Sequence, residues 1–520
     1  MDSRRHANTT SHRRAWALAA LVISACAPQT RRTPDDTLVV LVEATINTAD
    51  PRATLNNNDS KLSKLVAPGL TAVDTADSKP RLELASKIDH LDDRTIDVAI
   101  RGDARFSDGS PVTADDVAKT YGSVLDQAST SGAHKMLTER MFAVEAIKPD
   151  VVRFHLKGPL ATFESDIDFG IVSFHQGAPD SRRVIGAGPY RLDSLTDDLV
   201  ELSANPYYFG DPPKVPKLEI KIVRDAAARL LMLVGGSADV IQNAVRLDLV
   251  SAVRVRPRVH VDADRGTILT YLMMNNADPV LADRRVRQAI ALAVDRPALI
   301  AGKLGGLGIP ATGLLPPANW AYSSDVRHYD RDLAAARRLL DDAGLRDPDG
   351  AGPLPRLRLV YKTSADQFRV AIARVIVAQL AEVGIEVELR SFEFATFFAD
   401  VKKGAYQLAS MQTTDITDPD FYFMYFHSSW IPSPATPDGF NRWRYRNARV
   451  DELTTLGRQE TDRAKRKQIY DEVQRIVAED VPIVPLWHED NVVLSNVDVQ
   501  GYTMSPNARL GGLVHTSKLP

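Results

Sequence analysis

Residues 101–125 read RGDARFSDGSPVTADDVAKTYGSVL, and this stretch is the starting point for working out the fold. Phe106–Pro111 (FSDGSP) is a turn, because Asp-Gly tolerates unusual backbone angles and proline cannot continue strand pairing. Thr113 and Asp116 have the spacing of a capping box, in which the hydroxyl accepts from an early helix N–H group and the carboxylate reaches back. The pattern predicts a helix from Thr113 to about Leu125.

Outward from this helix, strands and helices alternate along the chain. The predicted strands are alternating or β-branched runs, and the predicted helices have an apolar face with a cap at one end. The predicted strands are Thr37–Glu43, Thr95–Arg101, Val151–Leu156, Leu218–Val223, Ile268–Met274, Leu357–Tyr361, Ile385–Leu389 and Ile483–Trp487. The predicted helices are Leu62–Leu70, Ala226–Val234, one capped by Asp283, Asp332–Ala343, Gln367–Val383, Pro419–Phe426 and Arg463–Glu479. This alternation predicts an α/β fold, with a break in the rhythm in the middle of the chain.

Composition excludes several classes of function. The 520 residues carry a formal net charge of −3 and a single cysteine, Cys26. The rest of the chain therefore forms no disulfide, cysteine metal site or cysteine nucleophile. A mildly acidic body has no electrostatic reason to hold nucleic acid. No catalytic or phosphate-loop motif is present and the histidines lack metal-type spacing, so we predict no enzyme, no cofactor and no metal site.

The N-terminus has the order of a secretory signal: basic residues, an apolar run at Ala15–Ile23, then small residues. The apolar run is too short to span a bilayer, which takes about 20 residues. Ile23-Ser24-Ala25-Cys26 resembles a bacterial lipobox, which implies cleavage after residues 1–25 and acylation of Cys26. The alternative is an ordinary signal peptide with a chance cysteine. Residues 26–37 are polar, contain two prolines and are predicted to be a tether.

Residues 101–125 also resemble the signature of the bacterial extracellular solute-binding proteins of family 5, the dipeptide, oligopeptide and nickel class. Other landmarks that resemble this family follow in order, and together they span about residues 38–500. Most of them are turns, caps and core helices, so they indicate the fold and not the ligand. They are Thr48–Pro51, Gly186–Tyr190, Asn205–Tyr208, Gly236–Asp239, Tyr271–Asn275, Val286–Arg296, Asp418–Asp420 and Arg466–Pro482.

The resemblance implies a two-lobed periplasmic-binding-protein fold of the large, type II-like class, with an extra domain inserted in lobe one. Ligand would favour the closed state of a hinge between the lobes through contacts made only there. The implied division is lobe one at 38–75, 185–268 and 490–520, the inserted domain at 76–184, and lobe two at 269–489.

The resemblance also implies the function. The chain would be the substrate-binding component of an ABC importer, capturing a peptide or similar amine-bearing solute for the permease subunits. It would be a monomer in the periplasm or cell envelope, touching the membrane through its lipid anchor alone. Two alternatives stay open: the same fold binding a metal chelate, sugar or opine-like compound, and a cell-envelope accessory protein that imports nothing.

Ser410–Phe423 (SMQTTDITDPDFYF) is the main candidate for ligand contact. Asp418 precedes Pro419, which favours the first position of a helix, so Asp418 is predicted to be an N-cap. Asp415 is not needed for that cap, and it matches the position at which peptide-binding relatives hold the free amino group of the ligand. A charge-assisted hydrogen bond of this kind contributes about 1.5–3 kcal/mol. The alternative is that Asp415 only caps a turn.

The residues before Asp415 depart from the pattern of peptide-binding relatives, which often place Trp three residues earlier with Gly beside it. Here that position is Gln412, also a candidate ligand contact, and its neighbours are not glycines. The loss of the aromatic side chain motivates the non-peptide alternative.

Two further sets of candidates complete the predicted site. Trp443 and Tyr445 belong to a mixed aromatic and cationic patch, FNRWRY, which either stacks on a ligand or holds an acid. The alternative is a solvated loop with one anchored Trp. Arg369 lies near the place where dipeptide-binding relatives keep an arginine for the ligand carboxylate, within about one residue of register.

Overall fold

A computed structural model gives the fold for most of the chain. The predicted α/β class and the two-lobed architecture are confirmed. Cys26, the predicted signal sequence and most of the predicted tether lie outside the described residues, as does Asp415. The described residues are 33–75, 77–177, 180, 182–350, 352–414, 416–434, 436–437 and 439–519.

Strands and helices alternate as expected from the sequence. The strands are β1 Thr37–Val42, β2 Thr71–Ala72, β3 Arg81–Leu82, β4 Ala85–His90, β5 Thr95–Ile100, β6 Met141–Lys148, β7 Val151–Leu156, β8 Tyr190–Leu195, β9 Leu199–Ala204, β10 Lys217–Ile222, β11 Val240–Gln242, β12 Val259–Met274, β13 Gly308–Pro310, β14 Leu357–Ser364, β15 Ile385–Phe392, β16 Leu408–Thr413, β17 Ile483–Asn496, β18 Val499–Gln500 and β19 Ser517–Lys518. The helices are α1 Asn57–Val66, α2 Ala114–Leu125, α3 His134–Arg140, α4 Phe163–Asp166, α5 Ala226–Val234, α6 Val250–Arg254, α7 Arg284–Ala293, α8 Arg296–Lys303, α9 Leu333–Asp342, α10 Gln367–Ala381, α11 Phe394–Lys403, α12 Phe421–Phe426, α13 Ala448–Gln459 and α14 Arg463–Asp480.

One large mixed sheet runs through both lobes. Its strand order is β15-β14-β16-β12-β17-β11-β1-β10-β9-β8, and β13 pairs with β17 at the side of this path. In lobe one β1 is parallel to β10 and β11, and in lobe two β14 is parallel to β15 and β16. The long antiparallel strands β12 and β17 lie at the centre and pair with both halves.

An irregularity interrupts β12 and β17 where the two halves meet. The pairing register shifts between Arg265 and Ile268, opposite Glu489 and Asp490. Gly266 lies inside this shift, and a Cβ atom there would come within 2.6 Å of the Glu489 carbonyl oxygen. A bulge bends a strand and increases its twist. The irregularity coincides with the lobe boundaries predicted at 268/269 and 489/490.

Each lobe buries apolar side chains on both faces of its part of the sheet. In β1, Leu38 and Val40 belong to one core and Val39 and Leu41 to the other. In β12, Leu272 and Met274 pack beneath α7, α9 and α10, while their neighbours face the side covered by α11 to α14. Strands buried on both faces read as continuous apolar runs, which explains why these segments were recognisable in the sequence.

The segment predicted to be an inserted domain, 76–184, contains an antiparallel sheet of its own, in the order β4-β5-β7-β6, packed against α2. The capping box predicted for α2 is confirmed: the Thr113 side chain accepts from the Asp116 N–H group, and the Asp116 carboxylate accepts from the Thr113 N–H group. Tyr121 of α2 is fully buried and lies edge-on to Phe154 of β7, with ring centroids 5.1 Å apart.

The bounds of three predicted elements differ most from those in the structure. The helix predicted at Leu62–Leu70 occupies Asn57–Val66, because the Asn56 side chain caps it earlier. The strands predicted at Ile268–Met274 and Ile483–Trp487 are halves of the longer β12 and β17, which support each other by pairing along most of their length. Among the described residues, no helix has both the length and the apolar character to cross a membrane.

Candidate functional site

The carboxyl ends of three strands define one edge of lobe two. Strands β14, β15 and β16 are parallel neighbours, so they all end on the same side, at Ser364, Phe392 and Thr413. Helices α10 and α11 begin directly after β14 and β15, capped by Asp366 and Glu393. In open α/β sheets, ligands bind in the crevice beyond the carboxyl ends of the strands. This edge is therefore where a ligand site is expected.

A large crevice of about 1240 Å³ opens between the lobes beside this edge. Lobe two contributes the start of α10 and the Ser391 end of β15, and lobe one contributes residues around α5 and after β11. Its charged lining is mixed in sign and consists of Glu43, Arg224, Asp225, Arg229, Arg246, Asp248, Lys303, Asp366 and Arg374. A crevice of this size has room for a small peptide or a chelate.

Two of the predicted site residues contact each other at this edge. The Nη2 group of Arg369, in the first turn of α10, donates to Oε1 of Gln412 on β16 at 2.8 Å. The Nε2 group of Gln412 is 3.4 Å from Oγ1 of Thr270 on β12, and Thr270 donates to Oε1 of Glu489 at 3.1 Å. The indole of Trp487 donates to the same Glu489 oxygen at 3.2 Å. These bonds connect the candidate site to β12 and β17, and no sequence pattern indicated Thr270 or Glu489.

Asp415 itself lies outside the described residues, and its predicted role is open. Its described neighbours place the segment at the end of β16: Thr413 Oγ1 is 2.5 Å from the Tyr425 hydroxyl oxygen, and Ile416 is buried in the core of lobe two. The segment therefore leaves the sheet at the same edge as Arg369.

The prediction that Asp418 is a helix N-cap is wrong. Helix α12 begins only at Phe421, and Asp418 forms an ion pair with Arg466 of α14, with an Nη1 to Oδ2 distance of 3.0 Å. Its other oxygen accepts from the Asp420 N–H group at 2.8 Å, which makes a turn before the helix. Because the helix starts only after Asp420, the Asp418 carboxylate caps the preceding turn and not the helix.

Trp443 and Tyr445 lie inside lobe two. Trp443 is fully buried, with its ring edge-on to Tyr271 and tilted against Phe426 at centroid distances of 5.8 and 5.3 Å. The Tyr445 hydroxyl donates to Oδ2 of Asp480 at 2.5 Å, and burial together with this bond raises its pKa. Their contact with a ligand stays a prediction, since the contacts they make here are internal to the lobe.

A buried ionic cluster joins the inserted domain to lobe two. The Nη2 group of Arg140 donates to Oδ2 of Asp420 at 2.7 Å, and Arg140 also pairs with Asp166. Arg458 of α13 completes the cluster with two bonds to Asp420, at 3.0 and 2.9 Å. Burial favours a raised pKa for Asp420, but Arg458 and Arg140 hold it below its ordinary value. Burial raises the pKa of Asp166 to about 6, against the effect of Arg140.

A second set of ion pairs, centred on Asp168, connects the inserted domain to lobe one. Asp168 lies 2.6 Å from Nζ of Lys64 on α1 and 2.7 Å from Nη2 of Arg509 in the C-terminal segment. Burial opposes ionisation of Asp168, yet Lys64 and Arg509 lower its pKa. The two sets of ion pairs line a cavity of about 350 Å³ between the three parts of the molecule. Neither set of ion pairs was predicted from the sequence, because the partners are far apart in the chain.

The donor set of the site suits an organic ligand with charged groups. Among the residues that the structure describes, no group of three or more His, Cys, Asp or Glu side chains is placed to hold a metal ion. Arginine, glutamine and threonine side chains beside a crevice bind and orient polar groups by hydrogen bonding.

Comparison with known proteins places the chain among relatives of one kind. The family model described as "Bacterial extracellular solute-binding proteins, family 5 Middle" matches residues 79–433. The "Probable D,D-dipeptide-binding periplasmic protein DdpA" of Escherichia coli (strain K12) is 27% identical over 512 residues, covering 94% of this chain and 96% of that protein.

Solved structures share the fold. NikZ from Campylobacter jejuni, in complex with Ni(L-His), has a TM-score of 0.81 at 24% identity and covers 94% of this chain and 100% of its own. The oligopeptide-binding protein AppA from Bacillus subtilis, in complex with a nonapeptide, has a TM-score of 0.80 at 24% identity, covering 93% of this chain and 99% of its own.

Proposed function

We propose a transport function for this chain, which belongs to family 5 of the bacterial extracellular solute-binding proteins. It is the substrate-binding component of an ABC importer and captures a peptide or a similar amine-bearing small solute. It hands this solute to the permease subunits and catalyses no reaction. Acylation of Cys26 would keep it in the periplasm or cell envelope, close to the membrane.

The observation that carries this proposal is the crevice between the lobes at the carboxyl edge of β14, β15 and β16. Arg369 reaches this edge and is oriented by Gln412, so a guanidinium is available near the segment that contains Asp415. Arg369, together with Asp415 in its predicted role, would complement the carboxylate and the ammonium of a small peptide. The named peptide binders among the relatives agree with this choice.

Capture by hinge closure fits the sheet topology. Rotation about the bulged ribbon near Gly266 would move lobe two against lobe one without breaking either core. The ion pair between Arg140 and Asp420 joins the inserted domain to lobe two, so it belongs to a state in which these surfaces meet. A ligand that contacts both sides shifts the population towards that state by its differential affinity.

A non-peptide solute is the second candidate. The polar segment Met411–Thr414 stands where peptide-binding relatives often have Trp and Gly, and Gln412 is committed to Arg369. NikZ, which has the same fold, was solved with Ni(L-His), a metal chelate. A chelate or opine-like compound would use the same arginine for its carboxylates.

Identification of the ligand that co-purifies with the protein tests the transport function. Native mass spectrometry of freshly purified protein should show a bound mass, and a peptide library should raise the melting temperature in a saturable manner. Ligand at a hundredfold excess over Kd stabilises by about 2.7 kcal/mol. Asp415→Ala should weaken peptide binding, while Asp93→Ala, on an exposed turn of the inserted domain, should not. A library without a single stabilising peptide would reject the peptide version.

A further inference from the structure

Arg442 is a buried cation for which the described part of the chain provides no counter-charge. Its side chain and backbone together are only 9% exposed. Within the described residues the guanidinium makes neither a hydrogen bond nor an ion pair, and its Nε atom is buried without a partner. A buried charge is costly unless it is paired. The neighbouring Arg446 is exposed, so the burial of Arg442 is not a property of the whole patch.

Two phenyl rings hold the guanidinium in place. The Cζ atom of Arg442 lies 4.9 Å from the ring centroid of Phe398 on α11 and 4.8 Å from that of Phe440. Cation–π contacts of this kind orient a guanidinium but leave its N–H groups unused. The in-plane donors of arginine form a fork that matches carboxylate and phosphate, so these unused donors have the chemistry to bind an oxyanion.

Phe440 connects this arrangement, through one further ring, to the end of β16. Phe440 stacks on Tyr425 at 5.5 Å, and the hydroxyl of Tyr425 contacts Thr413 at the end of β16. Phe440 also packs against Trp430, whose ring lies 4.2 Å from Nζ of Lys135 in the inserted domain. Arg442 is therefore connected both to the segment that contains Asp415 and to the surface where the inserted domain meets lobe two.

An exposed aromatic ring, that of Phe394, stacks on one of the two rings that contact Arg442. Phe394, at the start of α11, is 56% exposed and stacks on Phe398 with an interplanar angle of 8° and a centroid distance of 5.8 Å. Helix α11 starts at the carboxyl end of β15, the edge that lines the crevice. An apolar group lying on Phe394 would bring an attached acid towards Arg442.

We propose that Arg442 forms an anion subsite of lobe two, and that the solute carries an oxyanion attached to an aromatic or other apolar group. This inference rests on the proposed solute-binding function, and it adds a recognition element separate from Arg369 and Asp415. The oxyanion supplies the counter-charge that the described residues do not provide, and the Phe394 and Phe398 rings contact the apolar group. A carboxylate, a sulfonate or a phosphate monoester each has the required chemistry.

The test uses matched acids and amides. N-acetyl-phenylalanine and its amide, which lack a free amino group, are titrated calorimetrically into the full chain, together with phenylmethanesulfonate and phenyl phosphate. The three acids distinguish the oxyanions. We expect the acid to bind at least tenfold more tightly than the amide. Arg442→Gln should lose this preference, and Arg446→Gln, which removes an exposed charge from the same segment, should keep it.

Two further variants keep the result interpretable. Arg442→Lys retains the charge without the fork and should bind the acid with intermediate affinity, whereas Phe394→Ala should weaken the acid and the amide alike. Equal affinity of acid and amide for the wild-type protein, absence of binding at millimolar concentration, or unchanged binding by a folded Arg442→Gln variant would overturn the inference.

The cargo found by native mass spectrometry separates this inference from the proposed function. A bound solute that lacks an acidic group would leave the transport function intact and overturn the anion subsite. If the protein binds the acid at Arg442 but carries no cargo and supports no uptake, the anion subsite would stand and the transport function would be rejected.

Discussion

At the scale of single residues, the carboxylates of this protein differ in the charge that their surroundings allow. Asp420 is buried between two guanidinium groups, from Arg458 and Arg140, which keep its pKa low. Asp166 shares Arg140 but has no second cation among its described contacts, and burial raises its pKa to about 6. The carboxyl groups of Asp420 and Asp166, although they belong to one cluster, therefore ionise in different ranges of pH.

Asp166 should make stability depend on pH in the acidic range. It faces Arg140, Thr162, Asp418 and Asp420, and the folded protein binds its proton more tightly than the unfolded chain does. Its contribution to the free energy of unfolding is therefore greatest below about pH 4, declines as the pH rises to about 6, and is constant above that. The total change is on the order of 2–3 kcal/mol, at about 1.36 kcal/mol per pKa unit.

Urea unfolding of Asp166→Asn and the wild type across this range measures the effect. The variant cannot ionise at this position, so its stability relative to the wild type should rise between about pH 4 and 6. Two stability curves that stay parallel across the range would show that Asp166 does not titrate as expected.

Among the secondary-structure elements, the strands β12 and β17 connect the two lobes and also contain an irregularity in their pairing. They pair along most of their length and so hold the lobes together, yet their register shifts near Gly266. The missing side chain lets the two backbones approach, since a Cβ atom at this position would lie 2.6 Å from the Glu489 carbonyl oxygen. The close approach confines the bend to one place in the ribbon.

Gly266→Ala should destabilise the protein by about 1–3 kcal/mol, because the added methyl group forces the ribbon apart. Gly122, inside helix α2, provides the control: nothing lies within 4 Å of the position of its missing Cβ atom. Gly122→Ala should stabilise by about 0.5–1 kcal/mol, as expected for a helix interior. Thermal and urea unfolding measure both changes, and a neutral Gly266→Ala variant would contradict the assigned role.

At the scale of the whole molecule, the inserted domain connects to each lobe through buried charges. Asp168 pairs with Lys64 and Arg509 of lobe one, and Arg140 pairs with Asp420 of lobe two. If lobe two moves away when the ligand leaves, only the second connection breaks. The inserted domain would then move with lobe one, and the Arg140 cluster would contribute to closure.

Arg140→Met should weaken ligand binding by about threefold to tenfold, because under the proposed hinge closure Arg140 meets Asp420 only in the closed state. Arg153→Met is the control, since Arg153 pairs with Asp97 within the sheet of the inserted domain. Calorimetry with the ligand found in the purified protein gives the affinities. Small-angle X-ray scattering should show a smaller radius of gyration on adding that ligand, and a smaller decrease for Arg140→Met. Equal affinities for the two variants would remove Arg140 from the closing surface.

Elements whose stability is local could be predicted from the amino-acid sequence. The capping box of Thr113 and Asp116 and the helix Ala226–Val234 were predicted correctly, because caps and apolar periodicity involve residues within a few turns of each other. The order of such elements was sufficient to indicate the family, which the family model confirms.

The contacts between side chains that are distant in the chain could not be predicted in this way. The contact between Arg369 and Gln412 and the pairing of Arg140 with Asp420 join residues separated by 43 and 280 positions. Asp418, which its local sequence predicts to be a helix cap, forms an ion pair with Arg466. The rings of Phe398 and Phe440 both contact the guanidinium group of Arg442. Electrostatic energies of this kind depend on burial and on distance in space, and neither can be read from spacing along the chain.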